Sequence, residues 1–328
     1  MLPTQSTSYQ ARSYCRAKAA VLDMIEGAEE PASNELEMRE YRLNELVDDG
    51  KNNFQVVKHK PGITQYVKTG NTDRAMIVIA PGPNDSDNWD KTCKGAVTAT
   101  EENRSHCHFS RNTPGQQRGP VDAVTWGISI GNGQPRPMML NNQGKANRKA
   151  AERIRETEVF QNIAGFMTVM FLTWAPKLFL YYICIISTLL YHQTKLTLPF
   201  ANSIFTAFTV NFSPRTVCLP HCNTKNLAFG WCAITALGKY DHTKGRHLVL
   251  WDLKMVIEFP PGTTIFIPSA MLCHFNTAIQ EGETRYSFTM YSAGGLSRWV
   301  EHGFQLENVY RDTVQAAQDA KQNATRWV

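Results

Sequence analysis

From Ile204 to Ser292 the chain breaks into short β-type runs: Ile204–Phe212, Phe229–Leu237, His247–Leu253, Met255–Phe259, Thr263–Ile267 and Arg285–Ser292. Turn signals separate them at Lys244-Gly245, Pro260-Pro261-Gly262 and Glu281-Gly282. Short strands at regular spacing, with few helices among them, call for a barrel or a sandwich. The expected fold is therefore α+β, with a double-stranded β-helix (jelly-roll, cupin-like) core. Supporting helices come from the preceding segment, one from about Ala146 to Trp174 and, after the break that Pro176 forces, a second to about Gln193. Packed on one side of the sheet, they would form its outer support.

Three regions follow from this reading. Residues 1–145 form a polar N-terminal region with two short strands, Phe54–Lys58 and Ala75–Ala80, and long loops over 84–145. The second strand ends at Pro81-Gly82-Pro83, and Asn34–Val47 allows a short amphipathic helix. Residues 146–304 hold the β-helix with its leading helices, and 305–328 a C-terminal helix. The apolar run Phe166–Tyr191 invites a membrane reading, but Pro176 and Lys177 interrupt it. What remains, Leu178–Leu190, is short of the roughly 20 residues that span a bilayer, so a buried helix is expected and no membrane partner. Eight cysteines without CxxC pairing, and no secretory-type leader, point to reduced thiols inside the cell.

Net charge is only +5, yet it is unevenly placed. Between Arg104 and Arg155 the cations Arg104, Arg111, Arg118, Arg136, Lys145, Arg148, Lys149, Arg153 and Arg155 face only Asp122 and Glu152. Such a segment suits a polyanion such as nucleic acid, and a solvated basic loop has the same composition.

The residues that carry chemistry lie in the strand-rich part. His221 and Asn223 are one residue apart, so in extended chain they converge on one side while Cys222 turns away. His274 comes from a later strand, and Arg285 follows it. Two histidines and a carboxylate on one face of an octahedron make an oxygen-activating iron centre, with Asn223 here at the carboxylate position. In Arg285–Tyr291, alternation puts Arg285, Ser287 and Thr289 on one face and Tyr286, Phe288 and Met290 on the other. An arginine fork beside a serine, pointing into a barrel, grips a carboxylate. A zinc site from His221, Cys222, Cys273 and His274 fits worse, because adjacent residues of a strand face opposite ways.

The stretch from about Lys145 to Phe304 resembles the fungal, transposon-associated branch of the TET/JBP-like dioxygenases. The likeness lies in "WAPKLF", "NSIFTAFTVNFSPRTVCLPHCNTKNLAFGWCAITALG", "HLVLWDLKMVIEFPPGTTIFIPSA" and "ETRYSFTMYSAGGLSRWVEHGF". The resemblance implies Fe(2+) and 2-oxoglutarate as cofactors, with His221 and His274 matching the metal-binding histidines. Arg285 and Ser287 match the co-substrate clamp, and Asn226 matches an Asn that holds the target base. It further implies O2 as co-substrate, DNA carrying 5-methylcytosine as partner, oxidation to 5-hydroxymethylcytosine as reaction, and the nucleus as place. Two positions depart from the pattern. The metal-binding Asp is Asn223, isosteric but neutral, so metal affinity should fall. A Gly-Gly turn has become Gly245-Arg246, which fits a solvent-exposed turn residue; turn positions tolerate Arg when φ is negative. Two other readings stay open: a catalytically impaired copy acting as a binding module, and a prolyl-hydroxylase-like enzyme on a protein or small molecule.

Overall fold

Two sheets face one another across an apolar interior. The computed structural model describes residues 36–311 except 48–53, 69–73, 110–120, 132, 142–143, 213 and 215–216. Among the described residues twelve strands are formed: β1 Gln55–Val57, β2 Gln65–Lys68, β3 Ala75–Ala80, β4 Ala123–Ser129, β5 Met138–Met139, β6 Ala207–Asn211, β7 Cys232–Lys239, β8 Leu248–Leu250, β9 Met255–Ile257, β10 Thr264–Ile267, β11 His274–Asn276 and β12 Thr284–Tyr291. The larger sheet runs β2-β3-β10-β7-β12-β6-β4-β5 and the smaller β1-β9-β8-β11. From β7 onward the chain passes back and forth between them: β7 in the large sheet, β8 and β9 in the small, β10 large, β11 small, β12 large. This alternation, antiparallel throughout, is the double-stranded β-helix. A bridge from His221 to His274 adds one more rung to the free edge of the small sheet.

Strand periodicity assigns the layers. Leu248, Leu250 and Ile257 of the small sheet meet Ile77, Ile79, Cys232, Ala236, Ile265 and Ile267 of the large one in the interior. The next residues along the small sheet, Val249, Val256 and Phe275, face outward onto Tyr41, Leu46, Phe54 and Trp251. On the far face of the large sheet, Tyr286, Phe288 and Met290 of β12 pack against helices. Phe160 and Phe288 bring their rings to 5.1 Å. The expected split of β12 into a polar and an apolar face is what the packing shows.

Those helices are α2 Ser86–Arg104, α3 Lys145–Glu156, α4 Glu158–Trp174 and α5 Pro176–His192, preceded by the short α1 Leu43–Val47 and followed by α6 Gly294–Glu301 and α7 Glu307–Arg311. All of α2 to α5 contribute to one core on a single face of the large sheet. The helix expected from Ala146 to Trp174 is two, because Thr157 adopts an extended ψ of 125° and its hydroxyl bonds the Arg153 carbonyl at 2.8 Å. Pro176 opens α5, where a missing N–H costs nothing. Contrary to the expectation of a buried helix, α5 buries only Tyr182, Ile186 and Leu189, and Leu180 and Tyr191 are exposed. Among the described residues no helix is long and apolar enough to cross a membrane.

The long loops expected over 84–145 are a second correction. Residues 86–104 are helical, started by the Asp85 side chain, which accepts the Asn88 N–H. The buried stripe of α2 is Trp89, Cys93, Ala96, Thr100 and Asn103, too small and polar to register as an apolar face. Thr100 and Asn103 bond carbonyls of their own helix at 2.7 and 2.8 Å, so their burial leaves those donors satisfied. Trp89 donates its indole N–H to Gly262 at 2.8 Å, tying the helix to the turn before β10. Strands β1 to β5 sit in the same two sheets as the later ones, across the boundary expected near residue 145. Of the amphipathic helix expected over 34–47, only 43–47 is helical, and of the terminal helix 305–328 only α7 falls within the described residues.

Candidate metal and anion site

His221 and His274 face each other across the added rung of the small sheet. Each donates its backbone N–H to the other's carbonyl, at 3.2 and 3.0 Å, and the ring centroids stand 4.4 Å apart. Both rings are fixed in the same way. His221 Nδ1 lies 2.7 Å from the Leu219 carbonyl, and His274 Nδ1 lies 2.8 Å from the Leu272 carbonyl. A carbonyl only accepts, so each Nδ1 carries its hydrogen and each neutral ring keeps its lone pair on Nε2. This is the outer-shell arrangement that prepares imidazole to bind a metal ion.

Asn223 completes the group. Its N–H is held by the Ser269 carbonyl at 2.8 Å, and its Nδ2 stands 3.2 Å from His274 Nε2. Because Nε2 is an acceptor there, the amide donates to it. Cys222 packs on the outer side, against the cluster of Trp251, Cys273 and Phe275, away from the imidazoles. Among the described residues no set of three His, Cys, Asp or Glu side chains is placed to hold a metal ion. The donor chemistry therefore fits a divalent cation at the two imidazoles, while the third position offers a neutral amide now turned nitrogen-first. Asp252 takes no place there, since its Oδ2 accepts the Cys273 N–H at 2.6 Å.

Arg285 is 2 % exposed. Its backbone N–H bonds the Pro214 carbonyl at 2.8 Å, and Nη1 reaches Asn276 Oδ1 at 3.3 Å. Asn276 lies two residues beyond His274 on the same face of β11, so one strand joins the imidazole to the guanidinium. Nε of Arg285 makes no hydrogen bond among the described residues. Opposite it in β7 stands Gly238, at φ 118°, where any Cβ would run into the Thr284 carbonyl. Ser287, next on this face, accepts from Asn211 Nδ2 at 2.6 Å across the β12–β6 pair. Asn226 donates its N–H to the Asn223 carbonyl at 2.8 Å and its amide to Ser269 Oγ at 3.1 Å.

Arg246 is not the solvent-exposed turn residue that its sequence context suggests. It is fully buried, and its φ is 64°. Burial first, and the Arg285 cation second, pull its guanidinium down to about 9.

No family profile and no curated protein matches the chain by sequence. Among solved structures, it is similar to NgTET1 in complex with 5mC DNA, at 13 % identity and a TM-score of 0.51, over 75 % of this chain and 84 % of that one. A viral collagen prolyl hydroxylase from Paramecium Bursaria Chlorella virus-1, in its 2OG complex, superposes at 14 % identity and TM-score 0.32 over 67 % and 98 %. The likeness to NgTET1 is one of fold. It leaves the chemistry to the residues themselves.

The structure thus gathers His221, Asn223 and His274 into one group and Arg285 with Ser287 into another. Sequence reasoning missed Asn276 and Asn211. Asn276 was legible by the same i, i+2 alternation that paired His221 with Asn223. Asn211 was not, because only strand register brings it to Ser287.

Proposed function

We propose that this chain is an iron(II)/2-oxoglutarate dioxygenase-like protein of the TET kind, acting on 5-methylcytosine in DNA with a weakened metal centre. The observation that carries the reading is the pair of Nε2 lone pairs at His221 and His274, each set by a carbonyl, joined through β11 to buried Arg285. His221, His274 and, after rotation of its amide, Asn223 would hold the metal. When bound, that ion supplies the activation of oxygen by which 2-oxoglutarate becomes succinate and a methyl group is hydroxylated. Arg285 binds the distal carboxylate of the co-substrate, and the Ser287 hydroxyl adds a hydrogen bond. Asn226, beside Asn223, is the residue assigned to the target base.

A base within a duplex is out of reach of such a site and must be flipped to enter it. The solved complex of NgTET1 with 5mC DNA supports DNA as the substrate class; acting on DNA, the protein would work in the nucleus. The basic segment contributes in part. Arg111 and Arg118 lie outside the described residues, and Arg155 is engaged with Pro199 and over the Trp126 ring. Lys145, Lys149 and Arg153, four residues apart on α3, form an exposed stripe suited to phosphates.

One observation favours a second reading. The Asn223 amide already satisfies the His274 lone pair that a metal would take, which suits a binding module without turnover. The two separate in one experiment: the chain and its Asn223→Asp variant, with iron(II), 2-oxoglutarate and oxygen, on a duplex carrying 5-methylcytosine. Both succinate and oxidised base are measured. The dioxygenase reading expects 5-hydroxymethylcytosine, formed faster by the variant. Succinate without oxidised base from both would make DNA the wrong substrate, and neither product from either protein would leave the binding module.

A further inference from the structure

The rung that joins His221 to His274 carries a second pair of side chains on its other side. Because the two histidines exchange both backbone hydrogen bonds, they form a hydrogen-bonded antiparallel pair. One residue forward from His221 is Cys222, and one residue back from His274 is Cys273, so the next pair along is Cys222 with Cys273. Register puts it at a position without ladder hydrogen bonds, where opposite Cα atoms stand about 4.5 Å apart and side chains approach most closely. A disulfide needs Cα atoms about 4.4–6.8 Å apart. Alternation sends both sulfurs away from the imidazoles, and both residues do lie with Trp251 and Phe275 in the outer apolar cluster.

The backbone is anchored around both. Cys273 donates its N–H to Asp252 Oδ2 at 2.6 Å, and its carbonyl accepts the Trp251 N–H at 3.0 Å. Cys222 stands between His221, bonded to His274, and Asn223, whose N–H bonds the Ser269 carbonyl at 2.8 Å. Side-chain rotation is therefore the motion left for bringing the sulfurs together. Both residues are thiols in this structure, and they differ in access: Cys222 is partly exposed and Cys273 is buried. That difference suits an attacking thiol beside a resolving one.

We propose that Cys222 and Cys273 are a redox modification site, a dithiol that hydrogen peroxide closes into a cross-strand disulfide. The Cys222 sulfur attacks one peroxide oxygen, the O–O bond breaks, and a sulfenic acid forms as one water leaves. The Cys273 sulfur then attacks the sulfenic sulfur, the S–O bond breaks, and a second water leaves. Two thiols are oxidised, one peroxide is reduced, and the thiol hydrogens end in the waters. The disulfide locks the edge segment that carries His221 and Asn223 to the strand that carries His274. It does so whatever the two imidazoles bind, so it stands apart from the dioxygenase-like reading.

The test treats the full chain, kept metal-free with a chelator, with hydrogen peroxide. Remaining thiols are blocked with N-ethylmaleimide, and unreduced peptides are mapped by mass spectrometry. We expect a linked peptide pair joining Cys222 to Cys273, lighter by two hydrogens and released by dithiothreitol. Amide exchange over residues 219–226 should slow, and the melting temperature should rise by about 5 °C or more. Cys222→Ser, at a partly exposed position, should fold as the original chain does and abolish all three changes. Cys273→Ala should likewise abolish the link while leaving Cys222 open to maleimide. Linkage of Cys222 to Cys218, or oxidation of Cys222 to the sulfinic acid without a link, overturns the pairing. Cys222 still reactive toward maleimide after peroxide overturns the site, and a link that alters neither exchange nor melting overturns the lock.

Discussion

Changing Asn223 to Asp should reverse the way this protein's stability responds to divalent metal. In the metal-free protein the Asn223 amide donates to His274 Nε2 over 3.2 Å. An ionised Asp has no hydrogen to give, so two acceptors would meet in a place where His274 is only 4 % exposed. Leaving a buried acceptor without its donor costs about 1–3 kcal/mol. For a chain of this size that is a fall in melting temperature of about 2–8 °C. With metal the sign changes. Altering even an outer partner of a ligand shifts metal affinity about 10–100-fold, and a carboxylate in place of an amide at the ligand itself should do no less. At a concentration about 100 times the dissociation constant, the bound ion then stabilises the variant by about 2.7 kcal/mol, enough to restore or exceed the loss.

The assay is thermal unfolding of both proteins under nitrogen, with chelator and with iron(II). The original chain should melt at nearly the same temperature in both conditions. The variant should melt lower in chelator and rise by several degrees with iron. Equal melting in chelator would remove the amide–imidazole bond from the argument. An unchanged response to iron would put residue 223 outside the coordination sphere.

Three further outcomes are expected. Arg285→Ala should lower 2-oxoglutarate affinity at least about 100-fold by calorimetry, with its circular dichroism unchanged, because Gly238 opposite leaves room for the strand to stay paired. His247 is 1 % exposed, bonded at Nδ1 to Thr277, and held down to about 4 by burial, with Glu258, His242 and Asp241 as the charges around it. Its folded value lies below the ordinary 6.5, so the stability it contributes is intact above 6.5 and lost as pH falls from there to about 4. That loss is about 3 kcal/mol, and His247→Gln should flatten the denaturation profile over this window. Replacing Lys145 and Lys149 together by Ala should weaken DNA binding and lower the slope of log affinity against log salt by about 2, with no dependence on cytosine methylation.

The sequence revealed the strands best where alternation and turn residues coincide. Ala75–Ala80 is β3 residue for residue, the runs at 204–212, 255–259 and 263–267 each contain the strand the structure forms, and those at 229–237 and 285–292 overlap β7 and β12, which run on to Lys239 and start at Thr284. His247–Leu253 contains β8 but ends as a single turn of 3-10 helix, closed by Lys254 in the left-handed region. Helix α2 was hidden because, after Trp89, its inward face is made of Cys, Ala, Thr and Asn, and the burial of Thr100 and Asn103 depends on hydrogen bonds within the helix rather than on apolar size. Strand β4 was hidden for another reason: its partner is β6, some eighty residues away, and pairing at that range leaves no local mark. At the site, His221, Asn223, His274 and Arg285 were legible from spacing alone. The burial of Arg246 was not, because a turn read one residue at a time gives no hint of the left-handed backbone that turns its side chain inward.

Asn223 and Arg285 set the charge of the candidate site from its two ends. An amide in place of the carboxylate that the resemblance implies removes one negative charge from beside His221 and His274, while the buried Arg285 guanidinium keeps its own. A dication entering beside the two imidazoles would meet a site less attractive by one charge, and an anion entering beside Arg285 would meet its cation unchanged. Loss of the carboxylate therefore weakens the two ends unequally: metal affinity falls with Asn223, and the grip of Arg285 does not depend on it. That asymmetry is why metal response and co-substrate affinity, measured separately, test the two halves of the site independently.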